Sequence, residues 1–253
     1  MREFGLIGYP LEHSFSATYF GQKFAAENIS DAVYKLFTLQ NIAELPEFLA
    51  RNTDLQGFNV TIPHKIAVLP FLSELSAEAA QAGAVNCVKI KRTDSGYYLK
   101  GFNTDVFGFR ESLKPRLKPH HTSALILGTG GAAKAAAMVL GQLGISYSFV
   151  SRNPELKDTL IYRNLTADVL TEHTIIINTT PAGMYPKVDL FPEIPYNLLT
   201  DKHLLFDLIY NPAETLFLRR GKLAGAETLN GLQMLELQAE KSWEIWNPSD
   251  FTV

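Results

Sequence analysis

Apolar residues along the chain fall into short runs of strand length, separated by longer stretches at helical spacing. Residues 4–8 form the first run, and residues 16–27 follow as a predicted helix, with Tyr19, Phe20, Phe24 and Ala25 near helical spacing. Residues 33–39 predict a strand, 42–51 a helix, and 58–62 a strand stopped by Pro63. The Ala-rich run 74–82 predicts a helix ended by Gly83. Two further runs, 85–91 and 97–102, flank Thr93-Asp94-Ser95-Gly96, a hairpin turn. Strands alternating with helices define an α/β chain with one antiparallel excursion.

Residues 114–121 break this pattern: they are polar, twice interrupted by proline, and without apolar periodicity. Beyond them, strands are expected at 124–127, 147–150, 175–178 and 204–208, separated by helical stretches, the pattern of a doubly wound parallel sheet. The last helix, 231–246, sets Met234, Leu235, Gln238, Ala239 and Trp243 on one broad face and Glu236, Glu240 and Glu244 on an opposite, solvated one. Residues 123–150 carry a single charge, Lys134, and have the hydropathy of a membrane span. Gly128, Gly130 and Gly131 interrupt them, with β-type residues before and helix formers after, so strand–turn–helix is the better reading.

Composition adds bounds. At about 150 residues per domain, 253 residues point to two modest domains, and 46% hydrophobic with 19% charged residues is ordinary for a globular chain. A net charge of −3, without a long basic block, supplies no concentrated positive patch for nucleic acid. Cys87 is the single cysteine and reads as a small buried residue. That usage, and a start without a long apolar signal core, favours the cytoplasm. The histidines show no ligand spacing, so no metal is expected, and His120-His121 reads as solvated linker.

Candidate chemistry begins at Gly128-Thr129-Gly130-Gly131-Ala132-Ala133, set between a strand and a helix. Gly128 permits the tight turn, Gly130 lets the backbone approach a pyrophosphate, and Ala133 is small enough for helix and strand to pack. An acid at the end of the next strand would read an NAD ribose; here Ser151-Arg152-Asn153 stands instead, and a guanidinium pairs with a 2′-phosphate, which points to NADP. Four other stretches concentrate polar groups at expected strand ends: His13-Ser14-Phe15-Ser16, the run from Asn59 to Lys65, Ala84-Val85-Asn86, and the run from Gly101 to Asp105. Asn59 and Thr61 share one side of their strand, and Ser14 and Ser16 precede a helix whose free amides suit a carboxylate. Taken singly, most have ordinary readings: Ser16 as a helix cap, Lys65 as a surface lysine, Asp105 as the cap of the helix after Thr104.

Taken in order, the S-x-S, N-x-T-x-P-x-K, A-V-N and G-x-N-T-D-x-x-G runs ahead of the glycine loop resemble the shikimate dehydrogenase family. The segments from Asn178 to Met184, Asp207 to Thr215 and Gly231 to Ala239 are similar to that family's downstream motifs, so the resemblance spans nearly the whole chain. It implies a substrate-binding catalytic domain of residues 1–113 and 231–253 and a Rossmann-type NADP-binding domain of residues 114–230, with the active site in the cleft between them. It implies reversible NADPH-dependent reduction of 3-dehydroshikimate to shikimate, in the chorismate route to aromatic amino acids, by a monomer or homodimer. By the same resemblance Ser14 and Ser16 bind the substrate carboxylate, Asn59, Thr61, Asn86 and Gln238 the ring hydroxyls, and Lys65 and Asp105 form the catalytic pair. Tyr210 is implied near carboxylate and nicotinamide. The loop of Gly128, Thr129, Gly130, Gly131 and Ala132, with Ser151, Arg152 and Asn153, would hold the NADP phosphates. Thr179, Ile209, Gly231 and Met234 would line the nicotinamide side.

Departures from the family pattern are Glu12 and Ala17 in the serine motif, Cys87 after A-V-N, and Leu156, flanked by Glu155 and Lys157, where a second basic residue often lies. Glu155 counts against a phosphate. Two alternatives stand beside this reading: a broader quinate/shikimate dehydrogenase able to use NAD, and a non-catalytic nucleotide-binding sensor. The presence of both Lys65 and Asp105 speaks against the sensor.

Overall fold

The alternation of strands and helices resolves into two sheets of six strands each. The computed structural model describes residues 1–11, 14–94, 96–153, 155 and 158–247. Glu12, His13, Ser95, Leu156 and Lys157 lie outside the described residues. Two compact units divide the chain: Met1–Phe107 with Gln238–Val253, and Gly108–Leu237.

The first unit runs β1 (Arg2–Gly8), α1 (Phe15–Ala26), β2 (Ala32–Thr38), α2 (Leu45–Arg51), β3 (Leu55–Val60), α3 (His64–Ala67), β4 (Glu74–Leu75), α4 (Ala77–Ala82), β5 (Cys87–Thr93) and β6 (Gly96–Phe102), before α5 (Thr104–Leu113) leads out of it. Its sheet has the order β2-β1-β3-β5-β6-β4. β1 lies parallel to β2 and β3, while β5 is antiparallel to both β3 and β6. Strand side chains alternate between faces, and both faces are covered. Ile7 and Val88 enter one core with Leu45, Leu49 and Phe58; Phe4 and Cys87 enter another, aromatic core with Phe20, Phe24 and Trp246. Trp246 stacks on Phe4 at 5.0 Å and donates its Nε1–H to Val88 O at 3.0 Å, which fixes the C-terminal segment onto this sheet. A Cβ at Gly57 would fall inside the Trp246 ring, so only glycine fits beneath it.

Several expectations need correction here. The stretch 74–82 is not one helix: Ser76 is an extended N-cap whose Oγ accepts from Ala79 N at 3.2 Å, which frees Glu74 and Leu75 to pair with Lys100 and Gly101. Gly83 does end α4, at φ +62°. The third strand spans Leu55–Val60, because pairing with β1 sets its extent and Gln56-Gly57 hides its start from an apolar count. Glu240 is only partly solvated, because it also pairs with Lys23 of α1 at 2.8 Å and accepts from the Tyr19 hydroxyl.

The second unit continues from α5 through β7 (Ser123–Leu127), α6 (Gly131–Gln142), β8 (Ser146–Ser151), β9 (Thr159–Ile161), α7 (Ala167–Glu172), β10 (Ile175–Asn178), β11 (Leu204–Asp207), α8 (Leu216–Leu223) and β12 (Glu227–Leu229) to the start of α9 (Leu232–Trp246). The sheet order is β12-β11-β10-β7-β8-β9, with every pairing parallel. Chain order reverses between β7 and β10, and open sheets of this kind bind ligands beyond the carboxyl ends of the strands at that point. β7 is wholly buried, and Ala133, Ala136, Ala137, Val139 and Leu140 form the buried face of α6. Residues 123–150 thus form a strand, a turn, a helix and a second strand; among the described residues no helix is long and apolar enough to cross a membrane. His121 is buried, contrary to its reading as solvated linker: its Nδ1 accepts from Lys118 N at 3.0 Å, so Nε2 carries the proton donated to Lys202 O at 3.2 Å. Burial holds its pKa below the ordinary histidine value.

Candidate functional site

The polar residues singled out in the first unit converge at the ends of its central strands. Ser14 is the N-cap of α1 but makes no capping bond, and among the described residues its buried Oγ finds no hydrogen-bond partner. A buried orphan hydroxyl costs about 1–3 kcal/mol, which a ligand oxygen would relieve. Ser16 is not the cap; it is the second residue of the helix, and its hydroxyl lies near enough to that of Tyr34 to oppose part of the burial effect on the tyrosine.

From Tyr34 a directional chain of hydrogen bonds runs inward. Tyr34 Oη donates to Asn59 Oδ1 at 2.9 Å, and Asn59 Nδ2 donates to Ser242 Oγ at 2.9 Å and Asn86 O at 3.0 Å. Ser242 Oγ in turn donates to Gln238 O at 2.9 Å. Asn86 Oδ1 accepts from Thr104 N at 2.7 Å, and its Nδ2 donates to Thr104 Oγ1 at 3.0 Å and reaches Gln238 Oε1 at 3.5 Å. Asn59, Asn86, Thr104, Gln238 and Ser242 are all buried. With both Nδ2 hydrogens engaged, Asn59 has only a carbonyl lone pair left for a ligand hydroxyl, which it would accept from. Burial pushes the Tyr34 hydroxyl well above the ordinary tyrosine value, so it remains a donor throughout the accessible pH range.

Lys65 and Asp105 meet at the edge of this network. Lys65 Nζ donates to Asp105 Oδ2 at 2.6 Å, with side chains 34% and 25% exposed, open enough to reach a ligand. Both backbones are fixed. His64 is buried, its Nε2 bonded to Leu39 O at 2.7 Å, and Lys65 O accepts from Val85 N at 2.8 Å. Asp105 sits in the first turn of α5 and is not its cap; Asn103 Oδ1 accepts from Val106 N at 3.2 Å in that role. Thr61, just beyond β3, donates its backbone N–H to Ile7 O at 2.9 Å. Cys87 is buried, and burial pushes its thiol up to about 12, which leaves no thiolate for nucleophilic work.

Tyr34, Thr104 and Ser242 belong to this arrangement although the sequence reading assigned them no role. Thr104 lies inside a quoted motif and Ser242 is one helical turn from Gln238, so spacing held a signal for both. Tyr34 on an alternating strand gave none.

In the second unit the glycine loop leads into α6 as expected. Gly128 has φ +108°, and a Cβ there would lie 2.8 Å from Thr179 Oγ1. That hydroxyl donates to Leu127 O at 2.6 Å, so Thr179 ties the loop to the end of β10. A Cβ at Gly130 or Gly131 would meet nothing within 4 Å; the backbone faces open space at the amino end of a 12-residue helix, and Thr129 and Ala132 are exposed beside it. This cradle fits a pyrophosphate. Ser151 Oγ accepts from Asn153 N and Asn153 Oδ1 from Glu155 N, both at 3.0 Å, so these two side chains shape the turn that presents Arg152. Ser151 and Arg152 line a cavity of about 890 Å³, within the range of small-molecule sites.

At the carboxyl end of β11, Asp207 is fully buried and accepts from Thr215 Oγ1 at 2.6 Å, Asn178 Nδ2 at 3.0 Å and Ile209 N at 3.1 Å. Desolvation outweighs these bonds and pushes its carboxyl up to about 6. Gly231 N donates to Ile209 O at 3.1 Å, and a Cβ on Gly231 would overlap Leu208 O, so packing already demands glycine there. Tyr210 is partly exposed and Met234 half-buried.

Residues 6–88 match the family model of the shikimate dehydrogenase substrate binding domain. Shikimate dehydrogenase (NADP(+)) of Desulforamulus reducens is 36% identical, over 96% of this chain and 88% of the relative. Shikimate 5-dehydrogenase from Thermus thermophilus, solved in complex with NADP(H) and shikimate, superposes with a TM-score of 0.81 at 30% identity, over 98% of this chain and 94% of that one. Quinate dehydrogenase from Corynebacterium glutamicum, in complex with NAD, gives 0.83 at 27% identity, over 97% and 93%. With identity at this level sustained over almost its whole length, the chain belongs to the shikimate dehydrogenase family.

Proposed function

We propose that this chain is an NADP-dependent shikimate dehydrogenase that interconverts 3-dehydroshikimate and shikimate, the first unit holding the substrate and the second the cofactor. The observation that carries the reading is the Lys65–Asp105 contact of 2.6 Å at the rim of a buried network of hydroxyl and amide groups. The orphaned Ser14 Oγ and the hydroxyl of Ser16 suit the substrate carboxylate. Asn59, Thr61, Asn86 and Gln238 suit the ring hydroxyls. The glycine cradle and Arg152 would hold NADP(H), with Thr179, Ile209, Gly231, Met234 and Tyr210 on its nicotinamide side, and the bound cofactor would supply or take up the hydride at the ring carbon.

In the reductive direction negative charge grows on the carbonyl oxygen, and a donor fixed within hydrogen-bond reach lowers the barrier. Lys65 Nζ is that donor: it gives its proton to the oxygen and takes it back in the oxidative direction. Asp105 holds the ammonium and accepts from the adjacent ring hydroxyl, so the lysine is oriented before substrate arrives. Changing Lys65→Ala lowers kcat by roughly 10²–10⁴-fold while KM moves much less. Retained turnover in that variant removes Lys65 from the chemistry.

A further inference from the structure

β8 and β9 are parallel and end in register, Ser151 opposite Ile161. Arg152 is the first residue past β8, and Tyr162-Arg163 are the first two past β9, so both arginines leave the same carboxyl edge of the sheet. Both line the 890 Å³ cavity. Arg152 is close enough to Tyr162 to oppose the burial that raises that hydroxyl's pKa. Both guanidinium side chains are exposed, and among the described residues neither has an ion-pair partner.

The charge lining this cavity is lopsided. Arg152, Arg163 and Lys187 face a single carboxylate, Glu193, for a net +2 among the described lining residues. Glu155, the acid that counted against phosphate binding, is not part of that lining. Two unpaired guanidinium groups on one cavity repel each other unless an anion sits between them, and a dianionic phosphate is the ligand group that satisfies both forks. A neutral ribose hydroxyl would leave them uncompensated.

We propose that Arg163 is the second cation for the 2′-phosphate of the dinucleotide, supplied from β9 rather than from the loop after Arg152. This deepens the NADP-dependent reading above and rests on it. Arg163 thereby becomes a determinant of NADP over NAD, acting from a strand end where no local motif signals it.

The test is calorimetric titration of the full chain with adenosine 2′,5′-bisphosphate and, separately, adenosine 5′-diphosphate, at low and moderate salt. The wild type binds the 2′,5′ compound more tightly. Arg163→Ala weakens that compound about tenfold, flattens its salt dependence, and leaves the 5′-diphosphate within about twofold; Arg163→Lys recovers part of the loss. Unchanged affinity for the 2′,5′ compound in Arg163→Ala, or equal losses for both probes, overturns the role of Arg163 and leaves the cofactor reading standing. Failure of the folded wild type to bind either probe overturns the cofactor reading and this inference with it.

Discussion

Replacing Tyr34 by Phe removes the donor at the head of the Tyr34–Asn59–Ser242 chain while keeping the ring stacked on Phe20 at 4.4 Å. Asn59 is 5% exposed, so water does not readily replace the lost donor to its Oδ1. Leaving a buried acceptor unsatisfied costs about 1–3 kcal/mol, part of which is offset because Phe buries no hydroxyl. A net loss of about 1–2 kcal/mol lowers Tm by roughly 2–8 °C in a chain of this size. The functional effect is of another kind. The tyrosine hydroxyl fixes the Asn59 carbonyl proposed to meet a ring hydroxyl, so its loosening raises KM for shikimate roughly 3–10-fold with kcat within about threefold. Steady-state kinetics with saturating NADP⁺, paired with thermal unfolding, reads both. A lower Tm with unchanged KM reduces Tyr34 to a structural residue, and no change in either refutes the chain of hydrogen bonds.

Asp207 carries a pH dependence of definite sign. Its carboxyl is raised from 3.8 to about 6 by burial, so between about pH 4 and 6 the folded state keeps a proton that the unfolded state has lost. Stability contributed by this group is therefore greatest below about pH 4 and falls by roughly 3 kcal/mol as pH rises to 7; Asp207→Asn gains on the wild type over that window, and parallel urea stability curves would refute the assignment. Gly231→Ala forces a methyl onto the Leu208 carbonyl and destabilises the protein by about 1–3 kcal/mol, measured as a shift in the urea midpoint; an unchanged midpoint contradicts the packing explanation.

How far the fold was legible depends on strand length and on the distance between partners in the chain. β7 and β10 are wholly buried, and their apolar runs announce them. β9 and β12 have three residues each, too few for any period, and exist because a longer neighbour offers an edge. The lysine and aspartate proposed as the catalytic pair stood out through motifs, whereas the groups that position their neighbours did not. Tyr34 meets Asn59 across 25 residues and Ser242 meets it across 183, and no local pattern encodes such a contact. His121 failed for a related reason: backbone groups of Lys118 and Lys202 satisfy it, which allows a polar residue to be buried where composition suggests solvent. Arg163 was silent because its significance depends on strand pairing with β8, not on the residues beside it.

The most direct measurement is steady-state oxidation of shikimate by the purified wild-type chain, following reduced nicotinamide with NADP⁺ and with NAD⁺ under identical conditions. The expected result is turnover in which kcat/KM for NADP⁺ exceeds that for NAD⁺ by at least about tenfold. Turnover that favours NAD⁺ contradicts the role given to Arg152 and Arg163, and absence of turnover from folded protein with either cofactor contradicts the proposed reaction itself.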